Sequence, residues 1–103
     1  MEPVTRYHVL FYGTDDGYVD SRAQIALFIG ATGATVVGYI RFHDPGMPFP
    51  ADSQSGRLII MHQPSAMFPN VLDVLRNEKP IYFYFSWGHA FLATTTEPIG
   101  EAE

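Results

Sequence analysis

Regular alternation of side chains is the feature that most constrains how this 103-residue chain can fold. Near its C-terminal end, Ile81, Phe83 and Phe85 occupy every second position, and Tyr82 and Tyr84 lie between them. Successive side chains of a β-strand point to opposite faces of a sheet. The spacing therefore predicts a strand with one apolar face and one tyrosine face.

Two further predicted strands, 5–12 and 35–43, divide in the same way. One side of each continues the apolar face, which we expect to be buried as the core. The other side is too aromatic for a purely solvated surface and too polar for an ordinary core, so we interpret it as a contact surface. This surface is formed by His8, Tyr12, Tyr39, Arg41, Tyr82 and Tyr84.

Turn signals divide the middle of the chain into short elements. The segment 22–29 suits either a helix or a strand, but the Gly-bearing loop 30–34 follows it directly and favours a β-hairpin with 35–43. The connection 44–56 contains prolines, which make it semi-rigid. It leads to a short predicted strand, 57–62.

One helix is predicted from the spacing of its apolar residues. Phe68, Val71, Leu72 and Leu75 recur at i, i+3, i+4 and i+7, which forms an apolar stripe along one helix face. Ser65 is the expected N-cap. We expect the stripe to pack on the apolar face of the strand that follows the helix.

The end of the chain reads as a hairpin and a tail. The segments 81–86 and 90–96 are predicted to pair around a tip that carries Trp87. The Trp87 ring is interpreted either as folded back over the end of the sheet or as an interface anchor. The acidic tail 97–103 is expected to fray.

The element order β-β-β-loop-β-α-β-β indicates an α+β fold, expected as a single domain over residues 1–103. We predict a largely antiparallel, curled sheet of about six strands with one amphipathic helix packed on one face. Such a helix is too short to cover both faces of the sheet. Either the sheet curls into a partly open barrel, or the second face is covered by something outside the chain.

Composition argues against several classes of function. The formal net charge is −5 and the six basic residues are scattered, which argues against nucleic acid as a partner. The chain has no cysteine, which excludes disulfides and zinc–thiolate sites. We find no secretory signal and no apolar run long enough to span a membrane, so we expect a cytoplasmic protein without membrane contact.

No motif identifies a reaction, and we predict no catalytic residue, no metal and no cofactor. His43 and His62 end consecutive predicted strands and, with Asp44, offer the donors of a His₂–carboxylate metal site. Separate strand-end histidines are the simpler interpretation. The acidic segment 15–20 lacks the alternating acids of a calcium loop, and a turn explains it.

Two main interpretations of function stay open. In the first, the chain is a non-enzymatic interaction module that forms a homodimer or binds a protein partner through the tyrosine surface and Trp87. In the second, the same surface lines a cleft for a small-molecule ligand under the connection 44–56. An enzyme of unknown class is a third. Tyrosines around a concave cavity would favour a ligand, and a flat face would favour assembly.

Overall fold

The structure, a computed structural model, describes residues 2–95. The strands are β1 (Val4–Phe11), β2 (Ala23–Ile29), β3 (Thr35–His43), β4 (Ser53–Ser55), β5 (Leu58–Pro64), β6 (Ile81–Ser86) and β7 (His89–Thr94). One helix, α1 (Phe68–Asn77), follows a 3₁₀ turn at Ser65–Met67. The predicted α+β class is therefore confirmed. The tail 97–103 and the last residue of the predicted strand 90–96 lie outside the described residues.

The strands form two sheets, so the prediction of one six-stranded sheet is wrong. The large sheet has five strands in the order β1-β2-β3-β5-β4, and the small sheet is the hairpin β6–β7. Strands β3 and β5 are parallel, whereas every other pair is antiparallel. The segment 22–29, ambiguous in sequence, is strand β2.

A strand that the sequence did not reveal forms one edge of the large sheet. β4 lies inside the proline-bearing connection 44–56 and pairs antiparallel with β5 at Leu58–Ile60. β5 lies between β3 and β4, and the chain that returns from α1 does not join this sheet. β6 pairs with β7 instead and packs over the large sheet.

The hydrophobic core lies between the two sheets. Ile40 and Phe42 are fully buried on one face of the large sheet, and Ile81 and Phe83 are buried on the hairpin. Gly38 permits this close packing, because a Cβ atom there would lie 2.6 Å from Cε2 of Phe83. We call this side of the large sheet its core face and the opposite side its outer face.

Helix α1 packs on the same core. The Phe68 ring meets the Phe42 ring at a centroid distance of 5.0 Å, and Leu75 is buried. Val71 and Val74 also pack against the core, whereas Leu72 is half-buried and lies outside that cluster. The predicted stripe is therefore correct at three of its four positions.

The start of α1 differs from the prediction. Ser65 belongs to the 3₁₀ turn, and the N-cap of α1 is Met67, which makes no side-chain capping bond. A proline occupies the first turn of α1, where its missing N–H removes one of the unsatisfied donors. The 3₁₀ turn thus leads directly into the helix without a polar cap.

Asp52 links the two sheets through its carboxylate. Oδ1 accepts a hydrogen bond from the backbone N–H of His62 at 2.8 Å, and Oδ2 accepts one from the backbone N–H of Ala90 at 3.0 Å. His62 belongs to β5 and Ala90 to β7.

Within residues 2–95, no helix is long and apolar enough to cross a membrane.

Candidate ligand-binding site

The structure divides the predicted tyrosine surface into two groups. One group lies on the outer face of the large sheet and consists of His8, Tyr12, Tyr39 and Arg41. The other lies on the hairpin. Tyr82 and Tyr84 are on the side that faces away from the core, and Trp87 is at the tip. The core separates the two groups, so the single surface expected from the sequence does not form.

A cavity of about 340 Å³ opens on the outer face of the large sheet. We call it the outer-face cavity, and its lining residues are Leu10, Tyr12, Tyr18, Val19, Ser21, Gln24, Tyr39 and Arg41. Three of the predicted site residues are among them. His8 pairs with Ala26 on the same face but is exposed and does not line the cavity.

Among the described residues that line the cavity, Arg41 alone carries a charge. The strand register places it opposite Gln24, and Nε of Arg41 donates to Oε1 of Gln24 at 3.0 Å. The guanidinium lies 5.8 Å from the centroid of the Tyr39 ring, which is cation–π range. The terminal NH₂ groups of Arg41 make no hydrogen bond within residues 2–95.

Aromatic and apolar side chains form much of the remaining lining. The rings of Tyr12 and Tyr18 pack at a centroid distance of 5.3 Å and an angle of 54°. Tyr18 and Val19 are both exposed at the mouth of the cavity. The cavity lining thus combines tyrosine rings and aliphatic side chains around the Arg41 guanidinium.

One wall of the cavity is a tight turn at 18–21, which overlaps the acidic segment 15–20 where the sequence predicts a turn, but its type was not predicted. Tyr18 and Ser21 exchange backbone hydrogen bonds of 2.9 and 3.0 Å, which closes a two-residue turn over Val19 and Asp20. The φ angles of Val19 and Asp20 are 49° and 57°, typical of a type I′ turn. Sequence rules for this turn look for Asn or Gly, so the Val-Asp pair gave no signal. A β-branched residue in this conformation is strained, and such strain is concentrated at functional sites.

Arg22 holds the loop that leads into this 18–21 turn. Nε of Arg22 donates to Oδ2 of Asp44 at 2.7 Å, and the terminal nitrogens donate to the backbone carbonyls of Tyr12, Thr14 and Asp15. The hydrogen bond from Arg22 lowers the pKa of the Asp44 carboxyl below its usual value, and one from the Ser65 side chain acts in the same direction. A side-chain cation therefore organises the acidic loop.

His43 and His62 meet, but they bind each other. Nε2 of His43 lies 2.7 Å from Nδ1 of His62, and Nδ1 of His43 contacts the carbonyl oxygen of Asp20. A carbonyl only accepts, so Nδ1 of His43 carries a proton, and one proton lies between Nε2 of His43 and Nδ1 of His62. Asp44 pairs with Arg22 instead. Among residues 2–95, no three His, Cys, Asp or Glu side chains are grouped to hold a metal ion.

Burial lowers the pKa of the His62 imidazole below its usual value. The neighbouring His43 and Arg41 lower it further, and the Asp52 carboxylate opposes them. His62 is therefore neutral at neutral pH.

The predicted hairpin residues line other cavities: Tyr82 and Tyr84 border one of about 390 Å³, and Tyr84 also borders one of about 310 Å³. The connection 44–56 lines a separate cavity of about 390 Å³ beside His43 and Ser65, so it is not a lid over the tyrosines of the large sheet. A cavity of about 430 Å³ lies between β1 and the chain that joins α1 to β6. It is mainly apolar and contains none of the residues predicted to bind.

Comparison with known proteins adds no functional assignment. No protein-family model matches the chain, and neither a curated protein nor a solved structure gives a significant match. Function is therefore inferred from the geometry of the chain itself.

Proposed function

We propose that the outer-face cavity binds a small organic anion. The observation that carries this proposal is the placement of the Arg41 side chain. Gln24 and Tyr39 hold the guanidinium in position, while its terminal NH₂ groups have no protein partner within residues 2–95. A guanidinium presents paired N–H donors that match the oxygens of a carboxylate, sulfonate or phosphate. The side chain is thus oriented before the ligand arrives, which reduces the entropic cost of binding.

The rest of the lining favours an apolar or aromatic body on that anion. The Tyr12–Tyr18 ring pair and the side chains of Leu10 and Val19 offer surface against which a flat ring can pack. A volume of about 340 Å³ is at the lower end of small-molecule sites. This supports a ligand of one or two rings.

The distribution of charge in the chain supports Arg41 as the group that would bind the anion. The protein carries a formal net charge of −5, so an anion gains nothing from the surface as a whole. No acidic side chain belongs to the described lining of the cavity, and one arginine does. Binding of an anion would therefore depend on Arg41 specifically.

The test uses 1-naphthalenesulfonate and its neutral counterpart, 1-naphthalenesulfonamide, in calorimetric titrations at low ionic strength. We expect the sulfonate to bind more tightly than the sulfonamide. Arg41→Gln should weaken sulfonate binding by about 10- to 100-fold, the loss of one charge-assisted hydrogen-bonded contact.

Arg76→Gln is the matched control, because Arg76 is exposed in the last turn of α1. It should leave the affinity unchanged. Equal binding of the two compounds, no effect of Arg41→Gln, or an equal effect of Arg76→Gln would each reject the proposal.

A second candidate function is the assembly of two copies through the outer side of the hairpin. The Trp87 side chain at the hairpin tip is 92% exposed, and the Tyr84 and Phe91 rings stack beside each other at 5.1 Å. Large exposed aromatic surface commonly marks contacts, and a two-fold axis lets one patch serve both copies. Sedimentation velocity tests this: a dimer that Tyr84→Glu dissociates supports it, and a monomeric wild type at tens of micromolar rejects it.

A further inference from the structure

We infer that the free edge of β1 is a docking surface for a second copy of this chain. Two β1 strands pair antiparallel about a two-fold axis at Val9 and join the two large sheets into one. The inference does not depend on ligand binding, and it concerns a different surface from the outer side of the hairpin.

The two edges of the large sheet differ in length and character. β4, at one edge, has three residues, all of them polar. β1, at the other edge, has eight residues, and Tyr7, Leu10 and Phe11 are exposed large hydrophobic side chains. Short or charged strands protect a sheet edge, whereas a long edge strand with exposed apolar side chains favours pairing with another chain. Among residues 2–95, β2 is the only strand that pairs with β1.

The direction of the backbone groups in β1 follows from its pairing with β2. The backbone N–H of Tyr12 donates to the carbonyl oxygen of Arg22 at 3.0 Å, in the register that the two strands keep over positions 6–11 of β1. Residues of an antiparallel strand point their N–H and C=O groups alternately to one side and the other. Even-numbered residues of β1 therefore bond to β2. The residues that present their backbone groups at the free edge are Tyr7, Val9 and Phe11.

Antiparallel pairing centred on Val9 satisfies all of these groups together. In this register Val9 lies opposite Val9 of the second copy, and Tyr7 lies opposite Phe11 of the second copy on both sides of the axis. Each pair exchanges two hydrogen bonds, so the edge gains about six backbone hydrogen bonds. With the axis at a neighbouring residue, either Tyr7 or Phe11 would lie opposite a residue outside this set.

The same register matches the side chains on the core side of β1. Tyr7 lines the mainly apolar cavity of about 430 Å³ between β1 and the chain that joins α1 to β6. The Phe11 side chain is 63% exposed, although its ring meets the Phe68 ring at 4.7 Å. Pairing brings Phe11 of the second copy beside Tyr7 at this cavity. Exposed apolar surface is thereby buried on both sides of the axis.

The charges of β1 are compatible with pairing to a second copy. Arg6 is the only charged residue of β1 when histidine is counted as neutral, so the acidic residues behind the formal charge of −5 lie elsewhere in the chain. The register places Arg6 opposite Tyr12 of the second copy, and His8 opposite Leu10. No like charges therefore face each other along the paired strands.

The first experiment changes the charges at His8 and Leu10, which are exposed and lie opposite each other across the axis. Sedimentation velocity should show a concentration-dependent dimer of the wild type at tens of micromolar. The double variant His8→Glu/Leu10→Glu sets carboxylates against each other at both symmetric positions. It should raise the dissociation constant by at least about tenfold. The double variant His8→Lys/Leu10→Glu pairs opposite charges at the same positions and should keep the dimer.

Tyr84→Glu is the control on the hairpin, and it should leave this dimer unchanged. Circular dichroism should show that all three variants keep the wild-type fold, since each substituted side chain lies outside the hydrophobic core. A monomeric wild type, equal dissociation of the two double variants, or a dimer that only Tyr84→Glu dissociates would each overturn the inference.

Amide hydrogen exchange of the wild type locates the interface. In the monomer, the amides of Tyr7, Val9 and Phe11 should exchange rapidly, whereas those of His8 and Leu10 are protected by β2. Raising the protein concentration into the dimer range should slow exchange at Tyr7, Val9 and Phe11. The inference fails if these three amides still exchange rapidly in the dimer. It also fails if they are already protected in the monomer, because the edge is then covered within one chain.

Discussion

The outer face of the large sheet and the outer side of the hairpin both carry exposed or half-buried tyrosines, yet they are different kinds of surface. On the large sheet, Tyr12 and Tyr39 border a cavity that contains the Arg41 guanidinium. On the hairpin, Tyr84 stacks on Phe91 across the strand pair, beside an exposed tip. The first surface has a cation in its cavity lining, whereas the cavity of about 390 Å³ at Tyr82 and Tyr84 on the second has no charged side chain in its described lining.

The difference between the two surfaces comes from the loops around them. The outer-face cavity exists because the loop that Arg22 holds and the strained 18–21 turn rise beside the sheet as a wall. The hairpin has only a two-residue turn at its tip, and its cavity is lined by the strand residues Tyr82, Tyr84, Ala93 and Thr94. Tyrosine on a strand therefore does not define a site, and the adjoining chain determines whether a ligand can be enclosed.

The two surfaces lie on opposite sides of one core, and substitution of Leu75 is expected to affect that core most strongly. Leu75 of α1 is buried in the cluster that joins the two sheets, whereas Leu72 is half-buried outside it. We expect Leu75→Ala to lower the free energy of unfolding by about 3 kcal/mol, as for a buried truncation. Leu72→Ala, the matched control, should cost clearly less in urea denaturation. A reversed order would mean that α1 presents a different face to the core.

Gly38 tests the packing of the hairpin against β3. A Cβ atom at this position would lie 2.2 Å from the carbonyl oxygen of Ile59 and 2.6 Å from Phe83. Gly38→Ala should therefore destabilise the protein by about 2 kcal/mol, because backbone must shift to admit the methyl group. At Gly13 a Cβ atom would meet nothing within 4 Å, so Gly13→Ala should change stability by less than about 0.5 kcal/mol. Because the nearest atom is the Ile59 carbonyl oxygen of β5, equal effects in thermal unfolding would show that neither β5 nor the hairpin lies so close to Gly38.

Substitution of Trp87 tests whether the hairpin tip is an exposed contact surface. It has a φ of 56° at the first position of the two-residue turn, where Asn is favoured, and its ring is 92% exposed. Trp87→Asn should therefore raise the free energy of unfolding by about 0.5 kcal/mol, since strain is relieved and little burial is lost. A clear loss of stability would instead show that the ring packs on the folded chain, and would weaken the case for an exposed contact.

Local patterns predicted much of the fold. Alternation located β3 at its observed bounds and assigned the faces of β6, and the helical period located α1. The strand β4 was not predictable in the same way, because it has three residues within a proline-bearing segment. So short a strand has no alternation to recognise.

The candidate site was predictable in part. Tyr12, Tyr39 and Arg41 followed from strand alternation. The strand-end positions of His43 and His62 allowed them to meet, but separate histidines were the simpler interpretation, and the structure contradicts it. The conformation of the 18–21 turn did not follow from the sequence, because a β-branched Val rarely occupies it. Without that turn, strand alternation predicts a tyrosine surface but no cavity.

The most direct test of the account is to map where 1-naphthalenesulfonate binds, using amide chemical-shift changes across the protein. We expect the largest changes to cluster at Tyr12, Tyr39 and Arg41, with the 18–21 turn beside them, and Arg41→Gln to reduce them strongly at the same ligand concentration. The hairpin should stay unaffected. Changes that centre on Tyr84 and Phe91, and that survive Arg41→Gln, would contradict the central claim.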